Sequence, residues 1–322
     1  MDRGAILEYL GPTWARTQDL IRSALDSDVS SLSGVNGSIL NNSGKQLRPI
    51  VSLLMAKACG EPNGDSEIIA ASAEILHNAT LIHDDVADES SRRRGKPTVF
   101  SLLGAGAAVL VGDFWLARAM EVMMKASCSS KVSGLFSKTL TDLAEGEMLQ
   151  LEKSVSADTT EEDYYRIIYC KTASLFEASV VSGALSVGAC PEYVEAARNY
   201  ACAVGMAFQI KDDILDYAGD AQLGKPLGID LLEKKITLPL LGALKDSREE
   251  DRMRKLVCTL DTDSENREIV RKFVSERGGI AYASARLDEY IRKAEKALEV
   301  LPDTEAVHYL AGIARYNAFR TI

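Results

Sequence analysis

The sequence predicts an all-α fold, a single domain over residues 1–322 in which many helices pack as a bundle around a central cavity. Three observations predict it. Apolar residues recur at i+3 and i+4 spacing along most of the 322 residues. Proline is scarce, 8 in the whole chain, so few positions break a helix. No segment shows the alternating apolar and polar pattern of strands joined by hairpin turns.

The elements follow in chain order. Ser27 to Gly44 is rich in Ser, Asn and Gly and reads as a loop. A helix begins near Glu67, with Ile68, Ile69, Ser72, Ile75, Leu76 and Ala79 as its apolar stripe, and runs to Asp84. Glu89 to Pro97 is a charged loop. Residues 113–125, 135–151 and 193–217 read as helices. Gly219 to Asp230, with three glycines and a proline, reads as a loop. Residues 266–277, 281–299 and 304–318 are helical again. Ten or more helices exceed a four-helix bundle, so they must layer.

Composition narrows the function. Apolar residues make up 46% and charged residues 26%, which suits a large core and excludes global disorder. The net charge of −10 argues against a general nucleic-acid binder, which needs a basic face. Cys59, Cys128, Cys170, Cys190, Cys202 and Cys258 form no C-x-x-C pair, so they read as reduced thiols of a cytoplasmic protein. The N-terminus lacks a signal-peptide apolar region. The longest uncharged, mainly apolar stretch, Pro97 to Gly112, is 16 residues, and a membrane span needs about 20. A soluble chain with no transmembrane segment is expected.

Two acidic clusters stand out. Asp84-Asp85-Val86-Ala87-Asp88 closes one helix, and Asp212-Asp213-Ile214-Leu215-Asp216 lies within another. Both read D-D-x-x-D. On a helix, Asp84 and Asp88 share a face, as do Asp212 and Asp216. Such faces repel themselves without cations, and hard oxygen ligands at that spacing suit Mg²⁺ bound together with substrate phosphates. With 23 Asp in the chain, one such motif is expected by chance only about 0.1 times. A merely solvated acidic face has no need of the apolar residues Leu81-Ile82 and Phe208 that precede the two clusters.

Anionic ligands need cationic clamps. Gly44-Lys45-Gln46-Leu47-Arg48-Pro49 puts two cations before a helix, and Arg92-Arg93-Arg94-Gly95-Lys96-Pro97 follows the first cluster. Lys171-Thr172, Lys225 and Lys235 add further candidates. Arg grips phosphate as a fork and Lys as a point charge. Of the histidines His77, His83 and His308, no two stand at i, i+4, which argues against a zinc hydrolase. His77 lies two turns before Asp84. No phosphate-binding glycine loop of the nucleotide type is present.

In this order the motifs closely resemble the trans-isoprenyl diphosphate synthases, or polyprenyl synthetases, over Gly44 to about Arg320. The set also includes Gly112-Asp113-Phe114, Glu145-Gly146-Glu147, Phe208-Gln209-Ile210-Lys211 and Lys235-x-Thr237-Leu238-Pro239. The resemblance implies head-to-tail condensation of isopentenyl diphosphate with an allylic diphosphate to an all-trans product, with three Mg²⁺ ions. It implies metal ligation by Asp84, Asp85, Asp88 and Asp212, with Asp213 and Asp216 nearby or behind them. It puts Lys171, Lys225, Lys235 and Arg93 on the allylic diphosphate, and Lys45, Arg48, His77 and Arg94 on isopentenyl diphosphate. Thr172 and Gln209 would lie beside the developing cation. It further implies a homodimer with one site per chain, and transient membrane contact for product release.

Two alternatives fit less well. A class I terpene cyclase shares the helical fold, but its second metal motif is of a different type. A non-catalytic partner subunit would typically lose one acidic cluster, and both are intact. Ala79 and Thr80, five and four residues before Asp84, are small where a bulky aromatic closes the tunnel of short-chain relatives. A medium-to-long product, such as a quinone side-chain precursor, is therefore expected over a farnesyl or geranylgeranyl product.

Overall fold

The computed structural model describes residues 2–42, 44–218, 228–260 and 264–319. The first layer comprises α1 (Arg3–Ala24), α2 (Ser30–Leu40), α3 (Leu47–Cys59) and α4 (Gly64–Ala87). After a minimal hairpin, β1 (Arg92–Arg93) and β2 (Lys96–Pro97), come α5 (Val99–Met123), α6 (Ser129–Ser156) and α7 (Glu161–Ile168). A π-helical turn, Tyr169–Ala173, leads into α8 (Ser174–Ser186) and α9 (Pro191–Ala218). The remainder is α10 (Ile229–Leu232), α11 (Leu238–Leu244), α12 (Glu250–Cys258), α13 (Ser264–Glu276), α14 (Gly279–Leu298) and α15 (Glu305–Phe319). The all-α expectation holds.

Local chemistry sets the boundaries. Asn63 caps α4 by accepting from the Asp65 and Ser66 N–H groups, and Ser66 returns a bond to the cap. Thr160 and Asp163 form the same reciprocal box at α7. Gly11 takes φ +50 and, with Pro12, kinks α1.

Three apolar clusters surround the centre. One joins α1, α3, α8, α9, α14 and α15 through residues such as Leu53, Phe176 and Tyr200. A second joins α7, α9, α11 and α13 through Ile210, Leu240 and Val274. The third joins α1, α4, α5 and α6 through Ile75, Trp115 and Phe136. Each fully buried side chain of this size contributes about 1.5–3 kcal/mol. The long helices α4 and α9, which carry the acidic clusters, are thereby fixed along much of their length.

The structure departs from the sequence reading in four places. Ser30–Leu40 is a helix and not a loop, because Asn36 is buried and hydrogen-bonds Trp115 Nε1 at 2.8 Å and the Leu25 carbonyl at 2.7 Å. Tertiary contact overrides its poor helix propensity. The loop Glu89–Pro97 contains the two-residue hairpin. Of the loop at Gly219–Asp230, residues 219–227 lie outside the described residues, and Asp230 falls in α10. The apolar stretch Pro97–Gly112 lies mostly in a longer helix, α5, which continues through Asp113, Arg118 and Glu121 to Met123. By length and composition α5 could cross a membrane, with 22% of its most apolar window buried. One face packs on α4 through Ala108, Val111, Trp115 and Ala119, while Leu110 is 70% exposed on the other.

Helices α3 and α8 approach most closely at Gly183, where a Cβ would collide with the Ser52 carbonyl oxygen. Backbone cannot yield as a side chain can. Gly183→Ala should therefore destabilise the fold by about 1–3 kcal/mol. Gly34→Ala, in α2 with open space at its Cβ, should be neutral or stabilising by up to about 1 kcal/mol. Urea midpoints of the two variants check this.

Candidate active site

The bundle encloses a cavity of about 880 Å³ between the start of α3, α4, the hairpin, α6, the π turn, α9 and α11. Acids enter from two walls: Asp84 from α4, Asp212 and Asp213 from α9. Cations stand around them: Lys45, Arg48, Arg93, Arg94, Lys171 and Lys235. Apolar wall comes from Leu143, Ile167, Leu175, Phe176, Phe208 and Ile236.

On the first wall, burial raises the Asp84 pKa to about 6, with Lys171 opposing and Glu147 adding to the rise. Asp85 is buried and accepts a 2.7 Å bond from Arg93 Nε. Burial also pushes its pKa up, against the pull of Arg93. Asp88 is the exposed C-cap of α4, its N–H donating to the Asp84 carbonyl at 2.8 Å. The three aspartates thus take different roles: cavity wall, Arg93 partner and helix terminus.

On the second wall, Asp212 faces the cavity. Asp213, 2% exposed, accepts from Tyr164 Oη at 2.6 Å and from Gln209 Nε2 at 2.9 Å. Its pKa is raised by burial, with those two bonds opposing and Asp212 and Asp216 adding to the rise. Asp216 accepts from the Asp230 N–H at 3.3 Å. Asp230, half-buried beside these carboxylates, has its pKa pushed well up by desolvation and by Asp213 and Asp216.

The π turn carries Lys171 and Thr172. π-Helical turns cluster at functional sites because the extra residue re-aims side chains. Gly146 of α6 lets the turn close, since a Cβ there would meet Cys170 Cβ at 2.6 Å. Lys171 Nζ lies 2.5 Å from Glu147, and Thr172 Oγ1 donates to Gln209 Oε1 at 2.9 Å. Lys235 pairs with Glu233. Burial would lower the Lys235 pKa, but Glu233, Asp230 and Asp88 leave it raised. Lys225 lies outside the described residues.

The remaining cations gather at the start of α3. The Arg94 guanidinium lies against Gly44, in the space its Cβ would take. Lys45 Nζ contacts Tyr316 Oη at 3.3 Å. The Arg48 guanidinium stacks over Phe176, 4.6 Å from the ring centroid. Burial lowers its pKa to about 10, against the pull of Glu74. His77 also lines the cavity. Of the two residues expected along the elongation path, Thr80 lines the cavity, whereas Ala79 is buried in the α4–α5 core with Trp115 and Ala119.

The Polyprenyl synthetase family profile matches residues 29–276. The chain is 40% identical over 314 residues to an all-trans-nonaprenyl-diphosphate synthase (geranyl-diphosphate specific) of Rhodobacter capsulatus, covering 96% of this chain and 95% of the relative. It is 39% identical to the octaprenyl diphosphate synthase of Escherichia coli, covering 98% of each. The chain belongs to the polyprenyl synthetase family. It is accordingly a trans-prenyltransferase, joining isopentenyl diphosphate to an allylic diphosphate. The crystal structure of a Caulobacter crescentus polyprenyl synthase complexed with calcium and isoprenyl diphosphate superposes with a TM-score of 0.91. The identity is 33%, covering 100% of this chain and 98% of that one.

Enzymes of the polyprenyl synthetase family are generally metal-dependent, and the donor set here fits that dependence. Among the described residues, no three His, Cys, Asp or Glu side chains converge to hold an ion. The cavity-facing carboxylates instead come from two separate helices. Mg²⁺ suits such an arrangement, since it takes one or two carboxylates from a protein and completes its octahedron with phosphate and water.

Several lining residues escape a motif reading. Glu74 is 4% exposed and faces Arg48. Its signal is an acid in the otherwise uncharged run from Ile68 to Ile82, one turn before His77 and Asn78. Tyr164 sits seven residues, two helical turns, before Lys171. Gln46 and Lys153 carry no comparable signal.

His77 has its pKa pushed well below the usual value by burial and by Arg48, Arg94 and Arg93. A lowered pKa keeps the ring neutral as pH falls. In the unliganded chain its NMR signals should show no titration between pH 8 and 6.5. A midpoint near 6.5 would show that the cations do not converge on it.

Proposed function

We propose that this polyprenyl synthetase makes a medium-to-long all-trans polyprenyl diphosphate by Mg²⁺-dependent, head-to-tail addition of isopentenyl units. The observation that carries it is the facing of Asp84 and Asp212 across a cavity with cations around it and a wide apolar wall.

In this reading Lys171, Lys225, Lys235 and Arg93 hold the allylic diphosphate. As the carbon–oxygen bond breaks, negative charge grows on the leaving oxygen, and positioned cations stabilise it more than they do the ground state. Mg²⁺ held by the Asp84 and Asp212 clusters, three ions in all, would supply further neutralisation of that charge. Lys45, Arg48, His77 and Arg94 hold isopentenyl diphosphate with its double bond against the allylic carbon, which turns encounter into an intramolecular event. Thr172 Oγ1 and the Gln209 carbonyl face the carbon that becomes cationic. The isopentenyl C2 proton leaves last, to the released diphosphate. Phe176, Phe208, Leu175 and Ile236 keep water from the cation.

Three further features belong to this reading. The chain works as one polyprenyl synthetase domain. It pairs as a homodimer through α5 and the adjacent face of α6, where Leu102, Leu110, Met148 and Val155 (85%) are exposed. Exposed apolar side chains on these helices are what a second copy would cover. It works in the cytoplasm, where its six unpaired cysteines stay reduced.

The purified chain, given Mg²⁺ and both diphosphates, should incorporate labelled isopentenyl diphosphate. Asp84→Ala or Asp212→Ala should lower turnover by at least about 100-fold with the helical circular dichroism unchanged. Near-normal turnover in either variant would sink the site.

Chain length is read at Thr80. An aromatic ring one helical turn, 5.4 Å, below Asp84 fills space that a later isoprene unit needs. Thr80→Phe should shorten the product and spare the first condensation. Ala79→Tyr, in closed core, should instead cost about 1–3 kcal/mol of stability. Chromatography of dephosphorylated products, with melting curves, separates the two. An unchanged product from active Thr80→Phe enzyme would move the ruler elsewhere.

A further inference from the structure

The middle aspartate of the second cluster is spoken for. Asp213 accepts from Tyr164 Oη at 2.6 Å through Oδ2 and from Gln209 Nε2 at 2.9 Å through Oδ1. It is almost fully buried. Both its oxygens therefore point at protein donors. The amide of Gln209 has only two orientations. With its NH₂ on Asp213, its oxygen is turned toward Thr172, whose Oγ1 donates to it at 2.9 Å. Thr172 and Gln209 both line the cavity.

We propose that Tyr164 is a positioning residue: through Asp213 it locks the Gln209 amide so that oxygen, not NH₂, faces the carbon that becomes cationic. This rests on the condensation chemistry proposed above. An amide oxygen stabilises a nearby carbocation, and the flipped amide would present positive hydrogens to it. Without the phenol, one Asp213 oxygen loses its donor, and the carboxylate is free to swing toward the cations of the site. Gln209 then loses the acceptor that selects its orientation.

Tyr164 is itself held from several sides. Its helix, α7, is closed by the Thr160–Asp163 box, and Asp163 pairs with Lys153 at 3.0 Å. Arg254 donates to the Ala157 and Thr159 carbonyls at 2.9 and 3.1 Å, pinning the segment before α7. The Tyr164 ring packs edge-on against Tyr165, with centroids 5.4 Å apart. The hydroxyl is thus delivered by a rigid element and does not find Asp213 by chance.

The test is a double-mutant cycle on turnover. Tyr164→Phe keeps the ring and removes the donor. It should lower kcat about tenfold, with the KM of both diphosphates and the Mg²⁺ requirement within about twofold of wild type. In a Gln209→Ala background the same change should cost less than about twofold, because the residue it positions is gone. Asp213→Asn replaces one of the two accepting oxygens by an NH₂ donor, disturbs the same orientation from the other side, and should match Tyr164→Phe. An equal loss from Tyr164→Phe in both backgrounds would overturn the proposal, as would wild-type kcat in the single variant. A raised Mg²⁺ requirement in Tyr164→Phe or Asp213→Asn would also overturn it, by making Asp213 a metal ligand. If the wild-type chain fails to condense the two diphosphates, the proposed function itself has failed, which is a separate result.

Discussion

The constraint on which the molecule depends is mutual repulsion between carboxylates. Asp84, Asp85 and Asp88 stand on α4, and Asp212, Asp213 and Asp216 on α9, with Asp230 close behind. Like charges one helical turn apart oppose helix formation by a few tenths of a kcal/mol per pair in water, and more where water is excluded. The pKa values of Asp84, Asp213 and Asp230 are raised first by burial, and neighbouring carboxylates add to the rise. The fold sustains the repulsion because both helices are anchored elsewhere. Helix α4 is packed on α1, α3, α5 and α8, and α9 on α8, α11, α14 and α15. The acids are offset locally as well, Asp85 by Arg93 and Asp213 by Tyr164 and Gln209. Asp84 and Asp212 are turned toward the cavity.

The cationic groups show the complementary strain. Burial lowers the pKa of Arg48 against the pull of Glu74, and burial together with Arg48, Arg94 and Arg93 lowers that of His77. Lys171 and Lys235 rest on Glu147 and Glu233. A diphosphate entering the cavity meets these cationic groups, whereas the acids on α4 and α9 are relieved only by cations that enter with it. Binding energy is drawn from strain that packing holds in place, which is how a rigid site stabilises a short-lived charge separation.

Much of this was legible in the sequence because it is written at helical spacing. The stripe from Ile68 to Ala79 placed α4, and D-D-x-x-D placed its acids on one face. What was not legible depends on contacts between distant segments. Ser30–Leu40 looks like a loop until Asn36 meets Trp115, 79 residues away. The sequence does not show that Asp85 is paired with Arg93, or that Asp213 accepts from Tyr164 and Gln209. Thr80 and Ala79 are adjacent in sequence, but the roughly 100° turn between them sends one to the cavity and the other to the core. The length of α5 was underread because Gly104, with φ +79, lets the chain kink and continue.

The central claim is that protein carboxylates from two walls form a metal site only when a diphosphate lies between them. Calorimetric titration of Mg²⁺ into the chain, with and without a non-ionisable allylic diphosphate analogue, tests it directly. The account predicts weak binding to the chain alone and affinity higher by more than about tenfold with the analogue present. Equal affinity in both titrations would contradict it, because the carboxylates would then hold the ions unaided.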